Sequence, residues 1–278
     1  MSAVLTPAAP AAAAHSPALK VTQGRVLVSE FTKFRSLRST VYTLLTALVL
    51  MIGLGALFSA VTASQYHTFS AVEKASFNPV STSLTGVAFA VVAFGVLGVL
   101  MTSGEYSTGM IRSSFTAVPR RLPVLWGKLA VFTGMIFSIS LVASFTSFFL
   151  GQAVLSSHHL GVGLSAPGAL RSVIGAALYI TVAGLIGVAL GALFRNTAAG
   201  IATFAGVFFV LPPLAGLLPA SVSSHLVQYL PSNAGGVLWG GVEGVQHALS
   251  PWTGFALLCG YASVLIAASA WRLRRADA

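Results

Sequence analysis

Apolar residues gather in six long runs separated by short polar stretches: Val41–Ala63, Leu84–Ser103, Leu129–Leu150, Ser172–Leu193, Ala198–Leu218 and Thr253–Trp271. Each run matches the roughly 20 helical residues that cross a hydrocarbon core. The runs are apolar on every side and lack the period of two that marks a barrel strand of about 10 residues. In lipid, a backbone amide must find its partner within its own segment or in a closed barrel, so helix is the remaining choice. The pattern predicts an all-α membrane protein with six transmembrane helices.

The stretch before the first run has a different pattern. In GRVLVSEFTKFRSLRSTV, residues 24–41, helical spacing puts Leu27, Phe31, Phe34, Leu37 and Val41 on one face. Arg25, Ser29, Thr32, Lys33 and Ser36 fall on the other. This predicts an amphipathic helix lying in the membrane interface, apolar face down and basic residues among headgroups. Glu30 falls near the apolar arc, where it either pairs with Lys33 at i+3 or faces a protein partner. Residues 1–19 are rich in Ala and Pro and lack the basic start of a signal peptide. They are read as a disordered cytoplasmic tail, with the membrane domain covering 20–275.

Between the second and third runs lies SGEYSTGMIRSSFTAVPRRLPVLWGK, residues 103–128. Gly104 and Gly109 are expected to break or bend the helix leaving the membrane. A short helix is expected from Ser107 to Phe115, stopped before Pro119. Met110, Ile111, Ser114 and Phe115 would share a face, suited to a groove on another protein. An ordinary basic loop fits the residues equally well. Arg195–Thr197 reads as a tight turn between the fourth and fifth runs. Gly184, Gly187 and Gly191 form a small-residue face that fits packing within the chain or dimerisation. Pro212–Pro213 should kink or end the fifth span early. In the 219–251 loop, Gly235–Val245 with Trp239 reads as a dip into the membrane or an amphipathic helix with its Trp at headgroup level. An irregular loop is the plain alternative.

Composition supports lipid as the solvent. Charged residues make up 7% of the chain, hydrophobic residues 56%, and the mean hydropathy is +0.88, whereas soluble domains carry about 25% charged residues. The formal net charge is +10. The basic residues flank the runs and form no face of their own, which argues against a nucleic-acid partner. With the N-terminus inside, every one of the 15 Lys and Arg residues except Lys74 and Arg171 falls on the cytoplasmic side. The expected topology is therefore N-in/C-in. The single cysteine, Cys259, excludes an intrachain disulfide.

Candidate chemistry is sparse. The six runs hold no Asp or Glu; Glu73 and Glu243 fall in outer loops, Glu30 and Glu105 on the cytoplasmic side. His67, His158, His159, His225 and His247 lie in or beside outer loops. Ion-coupled transporters normally carry ionisable groups at membrane depth, and intramembrane hydrolases need acids, a nucleophile or a metal set there. Gly127–Lys128 is followed by Leu129 and does not make a phosphate-binding loop. No enzyme, cofactor or metal site is expected.

Three segments resemble the ABC-2 type permease subunits of bacterial ATP-binding-cassette exporters, especially short actinobacterial members. SEFTKFRSLRST, Ser29–Thr40, resembles the family's interfacial helix. GEYSTGMIRSSFTAVPRRLPVLWGK, Gly104–Lys128, resembles its first cytoplasmic loop and is the most specific of the three. YLPSNAGG, Tyr229–Gly236, resembles its outer re-entrant region. The resemblance implies a subunit of the bacterial cell membrane that pairs with a second permease subunit, as homo- or heterodimer. It also implies a separate ATP-binding subunit that hydrolyses ATP beneath the pore. Glu105, Tyr106, Gly109, Met110, Ile111, Arg112 and Phe115 would then be ATPase-coupling positions. Leu27, Glu30, Phe31, Lys33, Phe34 and Arg35 would form the interfacial helix, with Glu30 and Arg35 near the same partner. Many relatives with known cargo carry added soluble or large outer domains; the resemblance assigns no cargo here. The alternative is a membrane protein without transport activity, such as an immunity or assembly factor.

Overall fold

The computed structural model describes residues 23–36, 38–107, 109, 121–242 and 248–275. Among them every regular element is helical. Helix α1 spans Gln23–Ser36, and α2 follows over Arg38–Gln65. Two short helices come next, α3 at Ala71–Ser76 and α4 at Pro79–Ser83, before α5 at Val87–Ser107. Helix α6 covers Arg121–Ser156 and α7 covers Ala169–Phe194. Helix α8 runs over Thr197–Gly216. Short helices α9, Ala220–Leu226, and α10, Pro231–Gly236, precede α11, Pro251–Arg275. Six of these, α2, α5, α6, α7, α8 and α11, are long and apolar enough to cross a membrane.

Helix α7 is the most buried of the six and packs most extensively against α5. Its glycines explain why. A Cβ on Gly187 would strike the Gly95 carbonyl, one on Gly191 would strike that of Val99, and one on Gly98 would strike that of Gly184. The small-residue face is therefore used inside the chain, bringing two backbones together where side chains would separate them. Phe94, Phe132, Ile180 and Phe204 fill the space around this seam.

The helices outrun the apolar runs. Helix α6 starts at Arg121 rather than near Leu129, and α5 passes through Gly104 to Ser107. Gly104 therefore does not break the helix. The turn comes at Gly109, whose φ of 72° lies in the left-handed region that glycine adopts without strain.

Helix α4 and α5 form a broken rod whose freed polar groups are answered by α6. Asn78 caps α4, its Oδ1 accepting from the amides of Val80 at 3.0 Å and Ser81 at 3.3 Å. Ser147 Oγ donates to the Ser83 carbonyl at 2.8 Å. Gln152 Nε2 donates to the Pro79 carbonyl and to Ser83 Oγ, each at 2.9 Å, while its Oε1 accepts from the Val162 amide at 2.7 Å.

The proline pair in α8 does not end the helix. The backbone widens into a π turn at Gly206–Val210 and then continues over Leu211–Gly216. A π turn just upstream moves carbonyls away from the proline rings, which would clash with a regular α ladder. Leu238 and Trp239 are buried, with Leu238 against Gly175 of α7. Ala234 meets α11 closely at Gly254, so 230–242 folds into the bundle. Trp239 is buried and belongs to the hydrophobic core. Residues 243–247, which include the end of the expected Gly235–Val245 dip, lie outside the described residues.

Candidate functional site

Helix α1 turns Val26, Glu30 and Phe34 toward the bundle, at the i, i+4, i+8 spacing of one helical stripe. Leu27 and Phe31 stay exposed. The apolar arc is thus divided: Phe34 packs into the core cluster with Leu125 and Leu129, and Leu27 with Phe31 faces outward. The seat on α6 is Gly127, where an added Cβ would meet the Val26 side chain.

This close approach gathers four charged side chains from three helices. Lys128 Nζ of α6 donates to Glu30 Oε2 at 2.8 Å, to Glu105 Oε1 at 2.9 Å and to the Met101 carbonyl at 3.3 Å. All three of its protons are used. Lys33 Nζ reaches Glu30 Oε1 at 2.7 Å and Glu105 Oε1 at 3.2 Å. Glu30, Lys128 and Glu105 are only 2%, 3% and 5% exposed; the Lys33 side chain is 27% exposed and closes the outer edge. Two positive charges meet two negative ones. Glu105 Oε2 is buried without a hydrogen-bond partner.

Burial pushes the Glu30 carboxyl up, but the charge of Lys128 and hydrogen bonds from Lys128 and Lys33 outweigh it and hold the group below its ordinary value. Burial pulls Lys33 down, and its bonds and attractions to Glu30 and Glu105 more than restore it, leaving it raised. Both shifts favour the charged forms of Glu30 and Lys33, and the four side chains stand at ion-pair distances. Such a set is rigid because each charge is costly to leave unpaired in a low dielectric.

A second junction lies beside the first. Ser103 Oγ and Thr197 Oγ1 are hydrogen-bonded at 2.9 Å, joining α5 to the start of α8. The Arg195 guanidinium lies 5.1 Å from the centre of the Tyr106 ring, a cation–π contact. Arg195 itself has a φ of 54° and ends α7, and Asn196 caps α8 by accepting from the Ala199 amide at 3.0 Å. The expected tight turn is built from these two residues. Arg272 of α11 donates to the Leu193 carbonyl at the same end.

Of the candidate residues, Glu30, Lys33 and Glu105 come together, with Phe34 and Tyr106 in adjoining contacts. Leu27, Phe31 and Arg35 sit on the exposed sides of α1. Gly109 forms the turn after α5. Met110, Ile111, Arg112 and Phe115 lie outside the described residues. Lys128, the centre of the cluster, is not among the candidates that the sequence singles out. Its signal was a lysine directly before one span facing a glutamate just after the preceding span, in a chain with 5 acidic residues. Among the described residues no three His, Cys, Asp or Glu side chains gather to hold a metal. The arrangement offers mechanical connection: it ties α1 to the facing ends of α5 and α6, on either side of the segment that joins them.

A scan of protein-family models finds no match to this chain, and a search of curated proteins finds none either.

Proposed function

We propose that the chain is the membrane-spanning permease subunit of an ATP-driven exporter of the ABC-2 type. In this reading both termini lie in the cytoplasm of a bacterial cell. Helix α1 rests along the inner leaflet with Leu27 and Phe31 in lipid. A separate ATP-binding subunit docks on the 104–123 loop, and a second permease subunit completes the path. ATP is hydrolysed on the partner.

The observation that carries this reading is the buried cluster of Glu30, Lys33, Glu105 and Lys128. Glu105 lies at the start of the loop and Lys128 just past its end, and the cluster fixes α1 to both. Displacement of the loop by a partner would move α1, α5 and α6 as one unit. A membrane protein with no need to transmit force could replace such a set with apolar side chains at little cost in stability. The Ser103–Thr197 and Tyr106–Arg195 contacts extend the connection to α7 and α8.

Copurification and transport test it. An ATP-binding subunit encoded beside this chain should copurify with it, and the pair should hydrolyse ATP and drive efflux in vesicles. Phe115→Asp should leave insertion intact and abolish both association and ATP-driven efflux. Full association and efflux in that variant would contradict the loop's role.

A further inference from the structure

We propose that the groove between α6 and α11, at the end of the bundle that holds the charge cluster, binds one anionic phospholipid of the surrounding bilayer. The groove has a volume of about 420 Å³, within the range of small-ligand sites. It is lined by Trp126, Trp271, Ile266, Ala267 and Ala270, with Ser263 and Arg274 as its polar residues. Both tryptophans are exposed, at 53% and 56%.

Charge selects the occupant. The described carboxylates are engaged elsewhere: Glu30 and Glu105 with lysines, and Glu73 with its own helix cap at Ser70. None pairs with Arg274. The neighbouring Arg275 guanidinium is engaged with the Trp271 ring, 4.2 Å from its centre, and does not line the groove. A guanidinium at the end of an apolar slot matches a phosphate headgroup followed by an acyl chain. The tryptophans suit the boundary between headgroup and chain. A second copy of this chain would fit less well, because its described acids are already paired.

The inference needs only the membrane-spanning character of the bundle, not the exporter reading. The test is tryptophan quenching in vesicles made with brominated phosphatidylglycerol or brominated phosphatidylcholine at equal mole fraction. The signal of the exposed pair is obtained by subtracting the Trp126→Phe/Trp271→Phe variant. Phosphatidylglycerol should be preferred about fivefold over phosphatidylcholine, as expected for one well-placed arginine, and Arg274→Gln should bring the ratio to about one. Equal quenching by the two lipids would overturn the proposal. So would a preference that survives Arg274→Gln, which would reflect the basic surface at large. Protection from both lipids would mean that protein covers the groove, and would overturn it as well.

Discussion

Lys128 Nζ and Glu30 Oε2 stand 2.8 Å apart although 98 residues separate them in sequence. The contact joins α1 to the first turns of α6 and leaves no proton of the ammonium group unused. Removing Lys128 would leave two buried carboxylates sharing Lys33, whose side chain is 27% exposed. Lys128→Met should therefore destabilise the protein by about 3–5 kcal/mol, with α1 the first element to detach. Lys33→Met, at the wetter edge, should cost less, because Lys128 still bonds both carboxylates. Denaturant titration in detergent micelles measures both. Neutralising the whole set, in Glu30→Gln/Lys33→Met/Glu105→Gln/Lys128→Met, should recover much of the loss because no unpaired charge of the cluster remains.

The seat of α1 should also depend on pH at both extremes. Glu30 is held below its ordinary value, so its contribution is complete above about pH 4.3 and is lost as pH falls through the lower folded value. Lys33 is raised, so its contribution is complete below about pH 10.4 and is lost as pH climbs through the higher folded value. A dye on Ser29→Cys, in a Cys259→Ser background, should show constant anisotropy between about pH 5 and 10. It should loosen outside that window.

The six long helices were legible because lipid demands uninterrupted apolar length, and each predicted run lies in or beside one of them. Their ends were less legible. Gly104 reads as a breaker, yet the helix continues because Glu105, one residue on, is anchored by Lys128. Pro212 and Pro213 read as a stop, and a π turn absorbs them. The glycine face of α7 could not be assigned from sequence, since close packing within a chain and between chains use the same residues; α5 occupies it. Lys128 was read as one more basic residue flanking a span. Its role depends on partners 23 and 98 residues away, and such separations carry no periodic signal. On α1, the Glu30–Lys33 pair was readable from spacing, whereas the division of the apolar arc between bundle and exterior was not.

The α5–α7 seam gives a third prediction. Gly187→Leu places a side chain against the Gly95 carbonyl, which cannot withdraw without moving α5. Overpacking of this kind costs roughly 1–3 kcal/mol or more. The thermal midpoint in micelles should drop sharply, while Gly53→Leu, at a position open to its surroundings, should leave it nearly unchanged.

Gln152 gives a fourth. It satisfies the Pro79 carbonyl, Ser83 Oγ and the Val162 amide at once. Gln152→Leu has similar bulk and leaves the Val162 amide without its partner, while Ser83 Oγ still donates to the Pro79 carbonyl, a loss of about 1–3 kcal/mol. Hydrogen exchange should rise first at Val162 and around the α4–α5 break, with α1 unaffected.

Site-specific cross-linking tests the proposed coupling most directly. Phe115→Cys, in a Cys259→Ser background, should form a cross-link to the neighbouring ATP-binding subunit, and nucleotide should alter its yield. Reaction of that same position with an impermeant maleimide added outside intact cells would contradict the account, because the loop would then lie on the wrong side of the membrane.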